Sequence, residues 1–331
     1  MSLGSLAAAP ILTDHRVHPL EAAPWIIAIA VYFFLPAQLG LATQILIMIL
    51  FALSLDLIVG YAGIISLGHA AFFGAGAYTV GLLSKYGWTE PLTGLLAAAA
   101  IAGLVGFGSG WVLLRTRGLT LLMLTIAVAI MLHELANDLD TITGGFDGLP
   151  IATDPILGLF RFSALSYDNQ YFYALAVLFL VFVLVRSTVY SPFGRSLIGI
   201  KESTTRMHAI GSPVHLRLVQ VYSMSAAIAG VAGGLFAQAN AYLTTQVLSF
   251  GLSGDVLIMV ILGGAGQLYG AFLGATAFLL LERQTELVLG TEFPYWQLAV
   301  GTALVLTVLS GQNGLLGMAI TLYRRLRGRT S

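Results

Sequence analysis

No cysteine occurs in this chain, which excludes disulfide frameworks, thiolate metal sites and cysteine nucleophiles. Charge is nearly as scarce: Asp, Glu, Lys and Arg make up 9% of residues, where soluble domains carry about a quarter. The formal net charge is zero, so no basic excess is available to hold nucleic acid. The only lysines are Lys85 and Lys201, and neither follows a phosphate-cradling loop of the G-x-x-x-x-G-K-[ST] kind. Any ATP-driven step therefore needs an ATPase on a separate chain. His133-Glu134-Leu-Ala-Asn137 superficially matches a zinc-protease spacing, but Asn stands at the second ligand position. Neither a metal site nor a nucleophile–base pair is expected, and the chain reads as a non-enzyme without a cofactor. The N-terminus lacks a basic region followed by an apolar core and a cleavage site, so no cleaved signal is read there.

What the chain does have is apolar length. Hydrophobic residues reach 58% and the mean hydropathy is +0.90. A helix rising 1.5 Å per residue needs roughly 20 apolar residues to cross ~30 Å of hydrocarbon. Candidate spans are Trp25–Leu39, Thr43–Val59, Ile64–Ser84, Leu92–Leu114, Gly118–Asn137, Tyr171–Val185, Leu218–Gln238, Val256–Leu281 and Tyr295–Leu309. Runs such as Ile45–Leu53 have no polar face, unlike helices that meet water on one side. The fold class is an all-α polytopic membrane protein. Thirty-eight glycines suit it, because small residues let membrane helices approach closely. Gly74-Ala-Gly76-Ala, Gly103-Leu-Val-Gly106 and Gly230-Val-Ala-Gly233-Gly234 read as helix–helix contacts.

Charge placement gives topology. Twelve of the fifteen Lys and Arg residues fall at Arg16, Arg115-Thr-Arg117, Arg186–Arg217 and Arg324–Arg329. Cytoplasmic loops carry the Lys/Arg excess, so these four regions share the cytoplasmic side. The acid-rich loop Asp138–Gln170 belongs opposite, with Lys85–Pro91 and Asn240–Gly254. Keeping the basic tail inside requires splitting Val256–Leu281 at its glycines, near Asp255–Leu262 and Leu268–Arg283. That gives ten segments with both termini cytoplasmic; nine is the alternative. The organisation is an N-terminal segment (1–24), a transmembrane region (25–310) containing a cytoplasmic segment (187–217), and a basic tail (311–331).

Glycine breaks occur in both halves. Gly60-Tyr-Ala-Gly63 with Ser66-Leu-Gly68-His69 interrupts the second and third segments, and Gly263-Gly264-Ala-Gly266 with Gly270 interrupts the eighth and ninth. Two inverted five-segment halves with broken helices mark a substrate route, since freed backbone groups line a cavity but do not face lipid. Ionisable groups at membrane depth default to functional readings. Asp56 is either a pathway or gating residue or an interfacial one, and His69 either caps a half-helix or bonds a neighbouring helix, or else touches substrate. Hydroxyls at Ser54, Ser66, Thr120 and Thr125 suit a zwitterion or small amide. Ser191–Pro213 is polar and helix-compatible, either a solvated loop or a helix that docks on a cytoplasmic partner.

Five blocks carry a family resemblance: Leu53–Tyr78 (LSLDLIVGYAGIISLGHAAFFGAGAY), Ile142–Leu149, Ser191–Pro213, Ser225–Ala237 and Val260–Ala275. In that order they closely resemble permease subunits of branched-chain amino-acid-type ABC importers, the LivM/LivH-like family, which also includes urea and amide permeases. The resemblance implies transport of branched-chain or other amino acids across the bacterial inner membrane, by alternating access. It also implies a second permease subunit, two cytoplasmic ATPase subunits that bind the ATP, and a periplasmic solute-binding protein. By similarity, Lys201–Gly211 matches the segment that contacts the ATPase, with Lys201, Glu202, Arg206 and Gly211 as its coupling residues. The pathway residues read from the broken helices and the ionisable groups at membrane depth are Asp56, Gly60, Gly63, Ser66, Gly68, His69, Gly263, Gly264 and Gly266. Two departures stand out. Ser203-Thr-Thr205 replaces a more acidic, alanine-richer stretch, and Ser310–Leu315 lacks the Arg and Pro of the family's Arg-Pro-x-Gly-Leu. The rival class is an ion-coupled secondary transporter, which would need buried acids beyond Asp56 and Asp255.

Overall fold

The computed structural model describes residues 22–154 and 167–289, with residues 298, 301–302, 305 and 314–317. The chain is built from α-helices; a two-residue β-pairing is the one sheet among the described residues. Five of the described helical stretches are long and apolar enough to cross a membrane: Pro36–Ala62, Pro91–Leu113, Leu119–Asp138, Asp168–Tyr190 and Val214–Asn240. Four match expected spans within a few residues, because nothing but apolar surface sets their ends.

The first expected span, Trp25–Leu39, is not one helix. Helix α1 (Ala23–Phe34) stops after 12 residues, about 18 Å, and a short 3₁₀ turn at Pro36–Gln38 precedes α2 (Leu39–Asp56). Pro36 lacks the N–H that would continue α1, and Leu35 before it takes an extended φ of −132°. Helix α1 instead docks on α7 (Tyr167–Tyr190): the Trp25 ring meets Phe179 and Phe182 edge-on, and the Tyr171 hydroxyl donates to the Ala28 carbonyl at 2.7 Å. Trp25 pairs late in α7 and Ala28 early, so the two run antiparallel.

Helix α2 is the central element. Every residue from Leu46 to Asp56 except Met48 is buried, against α7, α10 (Val214–Asn240), α11 (Phe250–Gly263) and α12 (Gly270–Leu289). Beside it, α3 (Ala70–Lys85) and α4 (Pro91–Leu113) clasp α10. Glycines make that clasp, as their spacing suggested. A Cβ on Gly76 would overlap the Gly230 backbone, one on Gly233 the Phe73 carbonyl, and one on Gly106 the Ala226 methyl. Backbones this close gain dispersion contacts along their length, the main attraction available between helices in lipid.

The two ends of the bundle differ in charge. At one end, β1 (Leu149–Pro150) pairs antiparallel with β2 (Tyr242–Leu243), and Lys85 Nζ donates to the Thr141 and Ile142 carbonyls at 2.7 and 3.1 Å. Those contacts gather Lys85–Pro91, the acid-rich loop and the start of the 240–254 stretch. At the other end, Arg117, in the turn before α5 (Leu119–Asp138), donates to Thr204 Oγ1 at 2.9 Å, which brings two of the basic regions together. The rest of 240–254 departs from the expected outer loop. A 3₁₀ turn at Thr245–Leu248 descends until Leu248 meets Gly74, about 16 Å below Lys85 along α3. Helix α11 therefore starts at Phe250, five residues earlier than expected and well inside the bundle.

Candidate functional site

Helix α2 does not end as an ordinary helix. Its last turn widens into a π-helical segment, Leu57–Ala62, which is closed by Gly63 in the left-handed region (φ +71°). The Ile64 N–H donates back to the Ile58 carbonyl at 2.9 Å. Residues 64–69 then run without regular structure before α3 begins at Ala70. The second break, Gly264–Tyr269, separates α11 from α12 where the sequence reading split them, with Gly264 and Gly266 at positive φ.

The two breaks touch. Asp56 Oδ1 accepts the Gly266 N–H at 2.6 Å, and a Cβ on Gly60 would land 2.6 Å from the Gly266 Cα, so only glycine fits there. Gly314, whose added Cβ would sit 2.6 Å from the Gly264 Cα, joins from the C-terminal region. Asp56 is fully buried and its Oδ2 has no hydrogen-bond partner. Asp56 thus lies buried where the two breaks meet. Gly263 and Gly264 are buried at the same place, and Gly263 packs on the Gly270 backbone.

About one helical turn before that junction along α2 lies a polar knot around His69. Its Nε2 is 2.9 Å from Ser54 Oγ and 3.5 Å from Ser225 Oγ. The Ser54 hydroxyl already donates to the Phe51 carbonyl (2.6 Å) and that of Ser225 to the Ser54 carbonyl (2.6 Å), so His69 Nε2 must be the donor. The ring stacks on Phe51 and meets Phe72 edge-on, fully enclosed. The next residue's N–H is held by Ser253 of α11 at 2.9 Å, and Ser66 Oγ accepts from the Gly68 N–H at 3.3 Å. Gly68 lies against the Thr125 carbonyl of α5 too closely for any side chain. His69 is therefore a tie between α2, α10 and the start of α3 rather than an exposed surface. Of the hydroxyls singled out in sequence, Ser54, Ser66 and Thr125 are buried, whereas Thr120 is exposed.

Between α7 and α10 the chain forms two short helices. Ser191 caps α8 (Pro192–Glu202), accepting from the Phe193 and Gly194 N–H groups, and Ser203 caps α9 (Thr204–Ala209). Gly194, Leu197 and Ile200 bury α8 against α7, α10 and the π segment. Glu202 and Arg206 are exposed and face each other at 3.8 Å, and Gly211, exposed at φ +78°, ends α9. Lys201 behaves differently from its neighbours: its Nζ turns inward and donates to the Gly60 carbonyl at 2.6 Å, while its stem covers Gly63. Ser225, Ser253, Gly314 and this inward Lys201 were not read from sequence. The only available signal was small hydroxyls and glycines inside apolar runs, which is common to every membrane helix.

Comparison with known proteins agrees with this arrangement. Residues 38–309, spanning both breaks and α8–α9, match the family described as branched-chain amino acid transport system / permease component. The chain is 32% identical over 305 residues to the high-affinity branched-chain amino acid transport system permease protein LivM of Escherichia coli, covering 84% of this chain and 69% of that one. It is 31% identical to the protein of that name from Salmonella typhimurium, covering 88% and 73%. It is also 28% identical to the autoinducer 2 import system permease protein LsrC of an Enterobacter species, covering 84% and 79%. No solved structure matches it. The chain is a multi-pass membrane protein and belongs to the branched-chain amino acid transport system permease family.

Proposed function

We propose that this chain is the permease subunit of an ABC importer that carries branched-chain or other amino acids across the bacterial inner membrane. The observation that carries this reading is the family match, which runs unbroken across residues 38–309 and includes α8, α9 and both breaks. The 31–32% identity to two LivM proteins over most of the chain supports the cargo class. The LsrC relative favours a second reading in which the importer is the same and the solute differs.

In this reading the chain crosses the membrane ten times as two inverted five-segment halves, with both termini in the cytoplasm. It pairs with a second permease subunit, two ATPase subunits that bind the ATP, and a periplasmic solute-binding protein. The antiparallel α1–α7 pair, the two-segment split at Gly263–Gly270 and the charge difference between the ends support that count. Residues 1–21 and 318–331 and most of Tyr295–Leu309 lie outside the described residues. Glu202, Arg206 and Gly211 on exposed α9 and its flanks form the ATPase contact. Asp56, Gly60, Gly63, Ser66, Gly68, His69, Gly263, Gly264 and Gly266 form the moving seam of the route. Alternating access follows: ATPase closure displaces α8–α9, and the two half-helix breaks shift against each other.

Reconstitution tests it. Proteoliposomes holding the permease pair with its ATPases are expected to take up radiolabelled leucine only when ATP and a leucine-loaded binding protein are both supplied. Uptake by the chain alone under an Na⁺ or H⁺ gradient would select the secondary-transporter class instead. ATP-dependent uptake that leucine does not compete for, but autoinducer 2 does, would select the second cargo.

A further inference from the structure

We infer that Lys201 is a positioning residue: it carries the movement of α8 to both helix breaks through its bond to the Gly60 carbonyl. The inference rests on the importer reading above and names the joint through which the drive enters the membrane region. Lys201 is exposed like Glu202 and Arg206, yet three facts set it apart from them. Its ammonium lies 2.6 Å from the Gly60 oxygen, a carbonyl that the π turn leaves without a continuing helix to bond. A cation at a helix C-terminus also complements the helix dipole. Its stem packs on Gly63, the residue that closes the turn. Immediately before it, Ile200 is buried under the same turn, so α8 cannot shift without either dragging Gly60 or breaking that bond.

Gly60 is in turn pressed against Gly266, and Asp56 from the same turn of α2 holds the Gly266 N–H. One ammonium therefore touches a chain of contacts that runs from α8 through the end of α2 to the α11–α12 break. A second arrangement is built in. Asp56 Oδ2 is buried without a hydrogen-bond partner, one helical turn before the Gly60 carbonyl that Lys201 holds. An α8 displacement that frees the ammonium from Gly60 leaves it the unpartnered Asp56 Oδ2 as an acceptor nearby. Turning Asp56 toward Lys201 releases the Gly266 N–H, and the second break loosens. The two states differ in which acceptor the ammonium holds, the Gly60 carbonyl or the Asp56 carboxyl group.

The test uses the whole complex in proteoliposomes and reads leucine transported per ATP hydrolysed. Lys201→Met keeps the stem over Gly63 and removes the donor. It is expected to lower that ratio about tenfold while the ATPase still co-purifies, and Lys201→Arg is expected to restore it to within about threefold of wild type. Asp56→Asn keeps an oxygen for Gly266 but removes the second oxygen that receives the ammonium, and is expected to lower the ratio likewise. An unchanged ratio in Lys201→Met overturns the inference. So does loss of the bound ATPase in that variant, which would make Lys201 a docking contact. Should Lys201→Met fail to accumulate, Asp56→Asn decides alone by the same criterion. A wild-type complex that hydrolyses ATP without moving any solute removes the importer reading and this inference together. A coupled wild type with an unaffected Lys201→Met removes only this one.

Discussion

Gly233 and Gly108 are both glycines inside long helices, yet a side chain would meet opposite fates at the two. At Gly233 the added Cβ would overlap the Phe73 carbonyl across the α3–α10 contact, whereas nothing lies within 4 Å at Gly108. Gly233→Ala must push two helices apart, at a cost on the order of 1–3 kcal/mol for an overpacked interior. Gly108→Ala only restricts the unfolded backbone, worth about 0.5 kcal/mol in the other direction. Thermal unfolding in detergent is expected to show a clear fall in midpoint for the first and no fall for the second. Equal midpoints would mean that the α3–α10 backbones are not in contact. Gly233 was legible because small-residue spacing has one common cause in membrane helices. His69 was half legible. Its position after Gly68 flagged it, but its partners Ser54 and Ser225 come from helices far apart in sequence, and no local pattern records which hydroxyls converge.

At the scale of elements, hydropathy located α4, α5, α7 and α10 within a few residues because each is one long uninterrupted apolar run. It failed where backbone chemistry interrupts an apolar run. Pro36 is one such place, since averaging over Trp25–Leu39 hides a single missing N–H. The descent of Thr245–Leu248 is another, because a short 3₁₀ turn of mixed polarity reads as an exposed loop although Val247 and Leu248 are buried. Helix α8 was legible as a helix, with Pro192 at its first position and Ser191 before it, although not as two pieces broken at Ser203. Its cap is testable. The Ser191 hydroxyl accepts from two N–H groups at 3.2 and 3.3 Å, so Ser191→Ala is expected to cost about 1 kcal/mol, felt mostly in α8. Hydrogen exchange is expected to quicken at Phe193 and Gly194 and to stay unchanged in the middle of α10. Uniform quickening in both helices would show instead that the cap supports the whole bundle.

For the whole molecule, sidedness rests on a physical asymmetry that the fold makes plain. The β1–β2 end gathers Asp138, Asp140, Asp147 and Asp154, with Lys85 spent on two backbone carbonyls, while Arg117, Arg195, Lys201, Arg206 and Arg217 lie toward the α8–α9 end. Translocating Lys and Arg is disfavoured and acids count little, so the α8–α9 end is expected in the cytoplasm. The bundle ties each end together, which means that one labelled residue per end orients all the described helices at once. The chain has no cysteine of its own, so single replacements report without background. Thr141→Cys and Ala209→Cys both sit at exposed positions away from the seam. A membrane-impermeant maleimide applied to spheroplasts is expected to label Thr141→Cys and to leave Ala209→Cys untouched until the membrane is inverted. The reverse pattern would turn the molecule over. It would put the Lys201–Gly60 joint on the side that meets the solute rather than the side that meets ATP, and an ATPase could no longer reach it.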